Sequence, residues 1–149
     1  MIKVYAYVAG DLLHVGHLRA LQQAKALGDH LTVGVIIDDG IAAYKRTPVI
    51  PFAERIELIA NLKCVDAVVQ QDIVDPTDNL KRLGNMDILV HADDWDENFP
   101  GAAYMRSIGR KVMQTSYYKG QSTTDIIERI QNNDFSRKKD SFNKKENSG

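Results

Sequence analysis

The chain has 149 residues, of which 44% are hydrophobic and 26% charged, a composition that fits one folded domain with a single core. A formal net charge of −1 supplies no basic footprint, so neither nucleic acid nor insertion into a membrane is expected. The only cysteine, Cys64, excludes an intrachain disulfide and a zinc cluster built on thiolates, and an ordinary buried thiol is expected there.

The apolar run from Ile2 to Ala9 carries Lys3, Tyr5 and Tyr7 and has no small-residue cleavage pattern behind it. It reads as a strand rather than a signal peptide, which makes a cytoplasmic location the expectation. A helix is predicted from Gly16 to Leu27, and Leu31 to Ile37 is apolar on both faces, as in a strand buried between helix layers. Pro48 and Pro51 stop anything earlier than a helix from Phe52 to Leu62, whose Ile56, Ile59 and Leu62 form one stripe. Short strands follow at Ala67 to Val69 and Ile88 to His91, with a brief helix from Pro76 to Leu83 between them, ended by Gly84. A helix including Tyr104 to Ile108 stops at Gly109, Val112 to Gln114 makes a fifth strand, and the last helix runs from about Thr123 to Gln131. Beyond residue 131 the chain is polar and of mixed charge to Gly149, and a disordered tail is expected over 132–149.

Strands separated by helices imply βαβ units: an α/β fold with a doubly wound parallel five-stranded sheet and helices on both faces. Such sheets bind ligands beyond the carboxyl ends of their strands, where the strand order reverses. His14 and His17, Asp38 and Asp39, and His91 to Trp95 all fall there. No G-x-G-x-x-G follows the first strand and no G-x-x-x-x-G-K-[ST] occurs, which disfavours a dinucleotide oxidoreductase and a P-loop enzyme.

Four clusters carry chemistry. His14-Val15-Gly16-His17 sits where the first strand hands over to a helix, and a helix N-terminus attracts phosphate through its unpaired N–H groups and its dipole. The imidazoles can donate to a phosphoryl group gaining charge while Gly16 permits close backbone approach; the plainer alternative is that they cap and pack. Lys45 and Arg46 lie in a loop stiffened by Pro48 and Pro51, a natural lid, and Arg55 opens the next helix against its dipole. Arg55 would grip two phosphate oxygens and Lys45 would act as a mobile point charge, unless both are solvated surface cations. Ser122 with Asp125 fits a capping box, and Thr123 and Thr124 add hydroxyls for a second phosphate seat that Gly120 lets a ligand approach. In His91-Ala92-Asp93-Asp94-Trp95 the carboxylates can take an amine, a ribose hydroxyl or a metal, and Trp95 can stack on a base; capping and turn roles explain such pairs equally.

In this order and spacing the four clusters resemble the cytidylyltransferase family of nucleotidyltransferases. That family carries H-x-G-H after the first strand, a lysine ten residues before an arginine, and a late R-T-x-G-I-S-T-T. The resemblance covers roughly residues 1–131. Asp11-Leu12-Leu13-His14 and Asp93-Asp94-Trp95 look like glycerol 3-phosphate cytidylyltransferases, while Tyr44-Lys45-Arg46-Thr47-Pro48 and Val90 to Trp95 look like the branch that activates phosphonates. The resemblance implies a Rossmann-like fold, a homodimer, and Mg²⁺-dependent transfer of CMP from CTP to a small phosphate- or phosphonate-bearing acceptor; it names no metal ligand in the protein.

By the same resemblance His14 and His17 hold the α-phosphate, Lys45 bridges it to the acceptor, and Arg55 takes the outer phosphates or the acceptor. Ser122, Thr123 and Thr124 hold the triphosphate, Asp94 and Trp95 border the nucleotide, and Val8, Ala9 and Gly10 line the pocket through their backbone. Val8-Ala9-Gly10 replaces the family's glycine-threonine-phenylalanine, and Tyr117, Tyr118 and Gln121 replace its late arginine, threonine and isoleucine, with Lys119 a candidate to compensate. An adenylyltransferase on the same fold and a non-catalytic nucleotide-binding module are the alternative readings.

Overall fold

The computed structural model describes residues 1–135. The elements in chain order are β1 (Lys3–Val8), α1 (Val15–Lys25), β2 (His30–Ile36), α2 (Asp38–Ala42), α3 (Phe52–Ala60), β3 (Ala67–Gln71), α4 (Thr77–Leu83), β4 (Ile88–Ala92), α5 (Ala102–Ser107), β5 (Lys111–Thr115) and α6 (Thr123–Gln131). The five strands form one sheet in the order β3-β2-β1-β4-β5, and every neighbouring pair is parallel. The α/β architecture expected from the alternation of elements is therefore the observed one. The chain leaves β3 at one edge and returns as β4 on the far side of β1, so the order reverses between β1 and β4, beside the loop that carries the two histidines.

The period of two in β1 divides the core. Val4 and Ala6 join Leu21 and Ala24 of α1 and Ile59 of α3 on one face. Tyr5 and Tyr7 meet Ile41 of α2, Leu80 of α4 and Met105 of α5 on the other. The predicted stripe of α3 is present, with Ile59 fully buried and Ile56 and Leu62 packed beside it. Cys64 is only partly buried against the same cluster, and burial pushes its thiol pKa up. Gly84 ends α4 in the left-handed conformation, at φ +73°, as its place in the sequence predicts.

One element was not anticipated. Helix α2 has five residues and no side-chain cap on its first turn, too short for a period of 3.6 to show in the sequence. It presents Asp38 to the guanidinium of Arg55 in α3. The polar tail lies outside the described residues from 136 onward.

Candidate active site

His14 is the N-cap of α1, with extended backbone, and its Nδ1 accepts the N–H of Gly16 at 3.0 Å. His17 closes the loop: its own Nδ1 accepts the backbone N–H of His14 at 3.1 Å, giving a reciprocal capping box built from two imidazoles. An Nδ1 that accepts carries no proton, so each neutral ring holds its proton on Nε2. The rings lie 4.1 Å apart, centroid to centroid. Burial drives the His17 pKa down to about 3, with the neighbouring His14 and Lys45 pushing the same way and Asp11 opposing. Burial also lowers His14, against the pull of Asp125. Capping and ligand contact are thus not alternatives: Nδ1 caps, and Nε2–H is left as a donor. Gly16 is needed for a local reason, because a Cβ there would lie 2.7 Å from Cε1 of His14.

Asp11, just before this turn, fastens the lid. Its carboxylate accepts the backbone N–H groups of Val49 at 2.9 Å and Ile50 at 2.8 Å, with the guanidinium of Arg46 at 3.5 Å. Its carbonyl accepts the hydroxyl of Thr123 at 2.8 Å. One residue, 4% exposed, therefore ties the histidine turn to the lysine loop and to the first turn of α6. The sequence reading gave it no role, because its partners Val49 and Ile50 lie 38 and 39 residues away and meet it only in the fold.

Arg55 stands elsewhere than its expected phosphate-gripping role requires. It is completely buried and does not line the cavity. Its Nε donates to Ile50 O at 2.9 Å, Nη1 to Ala9 O and to Ile36 O at 2.8 Å, and Nη2 to Asp38 Oδ1 at 2.7 Å. Four of the five donors of the guanidinium are thereby committed. The carbonyls beyond β1 and at the end of β2, together with Asp38, supply the negative charge that its position at a helix start lacks. It is not a solvated cation either.

A cavity of about 260 Å³ opens over the carboxyl ends of β1 and β4. Of the expected site residues, Val8, Ala9, His14, Gly16, His17, Lys45, Asp94, Trp95, Ser122, Thr123 and Thr124 line it; Gly10, Arg55 and Gly120 do not. Gly10 sits at φ +68°, where a Cβ would lie 2.5 Å from Cδ1 of Ile59, so its contribution is to the turn. Lys45 is partly desolvated: burial and Arg46 lower its pKa, while Asp94 and Asp11 hold it up. Ser122 caps α6 by accepting the N–H of Asp125 at 3.1 Å.

On the opposite wall, His91 stands among rings, with Tyr7 at 5.0 Å, Phe99 at 5.4 Å and Trp95 at 5.9 Å between centroids. Its Nδ1 is 3.5 Å from Asp94 Oδ1. Asp93 is a structural carboxylate: Oδ1 accepts the N–H of Tyr117 at 2.7 Å, and its own N–H donates to Thr115 O at 2.8 Å. Tyr118, in place of the family's threonine, lies under the guanidinium of Arg19 at 4.5 Å. Among the described residues no group of three or more His, Cys, Asp or Glu is placed to hold a metal ion. No helix among them is long and apolar enough to cross a membrane.

The family model described as cytidylyltransferase-like matches residues 11–129. An ethanolamine-phosphate cytidylyltransferase of Arabidopsis thaliana is 35% identical over 136 residues, which is 87% of this chain and 32% of that protein. A bifunctional protein HldE of Syntrophotalea carbinolica is 41% identical over 123 residues, 80% of this chain and 25% of that protein. The chain thus spans about a quarter to a third of the length of these curated relatives. Among solved structures, a lipopolysaccharide core biosynthesis protein of Thermoplasma volcanium superposes with a TM-score of 0.69 at 29% identity, covering 80% of this chain and 99% of that one.

Proposed function

Because the chain belongs to the cytidylyltransferase-like family, we propose that it transfers CMP from CTP to a small phosphorylated alcohol or a phosphonate, releasing pyrophosphate. The observation that carries this reading is the pair of neutral imidazoles, each with Nδ1 engaged by backbone and Nε2–H left to donate, in one cavity with Lys45 and the first turn of α6. An oxygen of the acceptor attacks the α-phosphorus, the bond from that phosphorus to the bridging oxygen of the β-phosphate breaks, and pyrophosphate leaves with the electron pair. The acceptor is already ionised at neutral pH, so no general base is required and the protein's work is positioning and charge stabilisation.

His14 and His17 would donate to the α-phosphoryl oxygens as charge builds on them. Lys45, half-desolvated on the stiffened loop, would bridge that phosphate and the acceptor, and Ser122 to Thr124 with the exposed N–H groups of α6 would seat the outer phosphates. Arg55 holds the strand ends and the lid in register rather than touching the triphosphate. Asp94 is the carboxylate on the cavity wall, and the donor set suits Mg²⁺ carried in on the triphosphate, where it would offset the charge of the leaving pyrophosphate. A homodimer belongs to the same reading and is tested by sedimentation. The name of the Arabidopsis relative supports an acceptor of the phosphoethanolamine kind, and the sequence resemblance supports one like glycerol 3-phosphate.

Pyrophosphate release is the test, with CTP or ATP and Mg²⁺ across glycerol 3-phosphate, phosphoethanolamine, phosphocholine, ribitol 5-phosphate and 2-aminoethylphosphonate. Release that needs both CTP and one of these acceptors supports the reading. Release with ATP alone, or none, contradicts it.

A further inference from the structure

Thr115 closes β5 and pairs in register with Ala92 of β4. It is 8% exposed and lines the cavity, yet its Oγ1 has no hydrogen-bond partner among the described residues. A buried hydroxyl without a partner costs about 1–3 kcal/mol and calls for a reason. The backbone around it is provided for. Thr115 O accepts from Asp93 N–H at 2.8 Å. Ser116 exchanges bonds with the side-chain amide of Gln23, its N–H donating to Oε1 at 3.0 Å and its carbonyl accepting from Nε2 at 3.4 Å. Tyr117 N–H is held by Asp93 at 2.7 Å. The segment is fixed, and the Thr115 hydroxyl is the polar group that this fixing leaves over.

The chemistry around it is specific. Ala20, Leu21 and Ala24 of α1 and Val90 and Ala92 of β4 line the same cavity as Thr115, and their side chains make that part of its wall apolar. From Gly16 to Ala24 helix α1 advances about 12 Å, so the cavity runs from the imidazoles along the helix over the length of a nucleoside monophosphate. A phosphate at the histidine end places an aromatic ring at the apolar end. The geometry points to Thr115 as a specificity-determining residue for the proposed nucleotidyl transfer: its Oγ1, sealed from solvent in this side-chain orientation, reaches the edge of the nucleobase by rotation about χ1. The inference rests on that proposed reading for the presence of a nucleotide, and on the unpartnered hydroxyl for the contact.

The test uses Thr115→Val, which keeps the shape and removes the hydroxyl, beside Thr115→Ser, which keeps the hydroxyl. Calorimetry measures the Kd of each protein for CTP, ATP and inorganic triphosphate, and thermal unfolding is followed without ligand. Thr115→Val is expected to leave Tm unchanged or raised, weaken nucleotide binding about tenfold and leave inorganic triphosphate unaffected, while Thr115→Ser stays within about twofold of the wild type. A fall in Tm for Thr115→Val would mean that the hydroxyl serves the fold, and would overturn the inference. So would unchanged CTP affinity, equal loss for CTP and triphosphate, or equal loss in the serine variant. A wild-type protein that binds triphosphate but neither CTP nor ATP would instead overturn the nucleotidyl reading itself.

Discussion

The backbone N–H of His14 donates to Nδ1 of His17 at 3.1 Å, so the cap of helix α1 and the protonation state of the proposed catalytic ring are set by one bond. A ring that caps through Nδ1 must present its proton on Nε2, and a ring buried beside a second imidazole and a lysine must stay neutral to low pH.

Replacing His17 by alanine is therefore expected to lower kcat by two to four powers of ten while CTP still binds, because the lost donor acts on charge that develops only during transfer. Steady-state kinetics with calorimetry on the variant check this. The lost half of the capping box should also cost about 1 kcal/mol in urea unfolding.

The same burial gives a pH dependence of stability. The folded ring has its pKa lowered to about 3, whereas the unfolded chain takes up a proton near the ordinary value of 6.5. Between those limits the unfolded state binds more protons than the folded one, so this ring's contribution to stability falls as pH drops from 6.5 toward 3 and is constant above 6.5. Urea midpoints measured from pH 8 to pH 5 should fall in the wild type, and His17→Asn should reduce the slope.

Asp11 supplies the acceptor for two lid N–H groups, and Asp11→Ala should destabilise the fold by about 2 kcal/mol. The larger effect is local. Limited proteolysis is expected to cut the 45–50 segment faster in the variant, with KM for CTP raised as Lys45 loses its fixed position. Equal cutting of both proteins would show that the latch does not hold the lid.

For Arg55 the decisive comparison is with lysine. A single ammonium cannot span the acceptors at Ala9, Ile36, Ile50 and Asp38, so Arg55→Lys should lose most of the stability lost by Arg55→Ala, about 3 kcal/mol. Thermal unfolding of the two variants checks it. An Arg55→Lys protein with wild-type Tm and weakened CTP binding would return Arg55 to the phosphates.

The sheet and its reversal point were legible because alternating apolar segments leave few topologies open, and the histidine turn was legible because its residue types and spacing are local. What the sequence hid is non-local. Nothing near Arg55 in the chain announces that the carbonyls of Ala9, just beyond β1, and Ile36, at the end of β2, converge on it. Nothing near Asp11 names Val49 and Ile50 as its partners. The same distance in sequence separates Asp93 from Tyr117, whose bond makes a structural carboxylate out of one that looked available to a ligand. Helix α2 was hidden for the opposite reason, being too short to carry a period.

The most direct measurement follows the phosphorus. With CTP labelled in turn at the α- and γ-phosphorus, single-turnover reactions with the acceptor should carry the α label into a product joined to the acceptor and the γ label into pyrophosphate. Transfer of the γ label to the acceptor, or its release as inorganic phosphate, would contradict nucleotidyl transfer at this site.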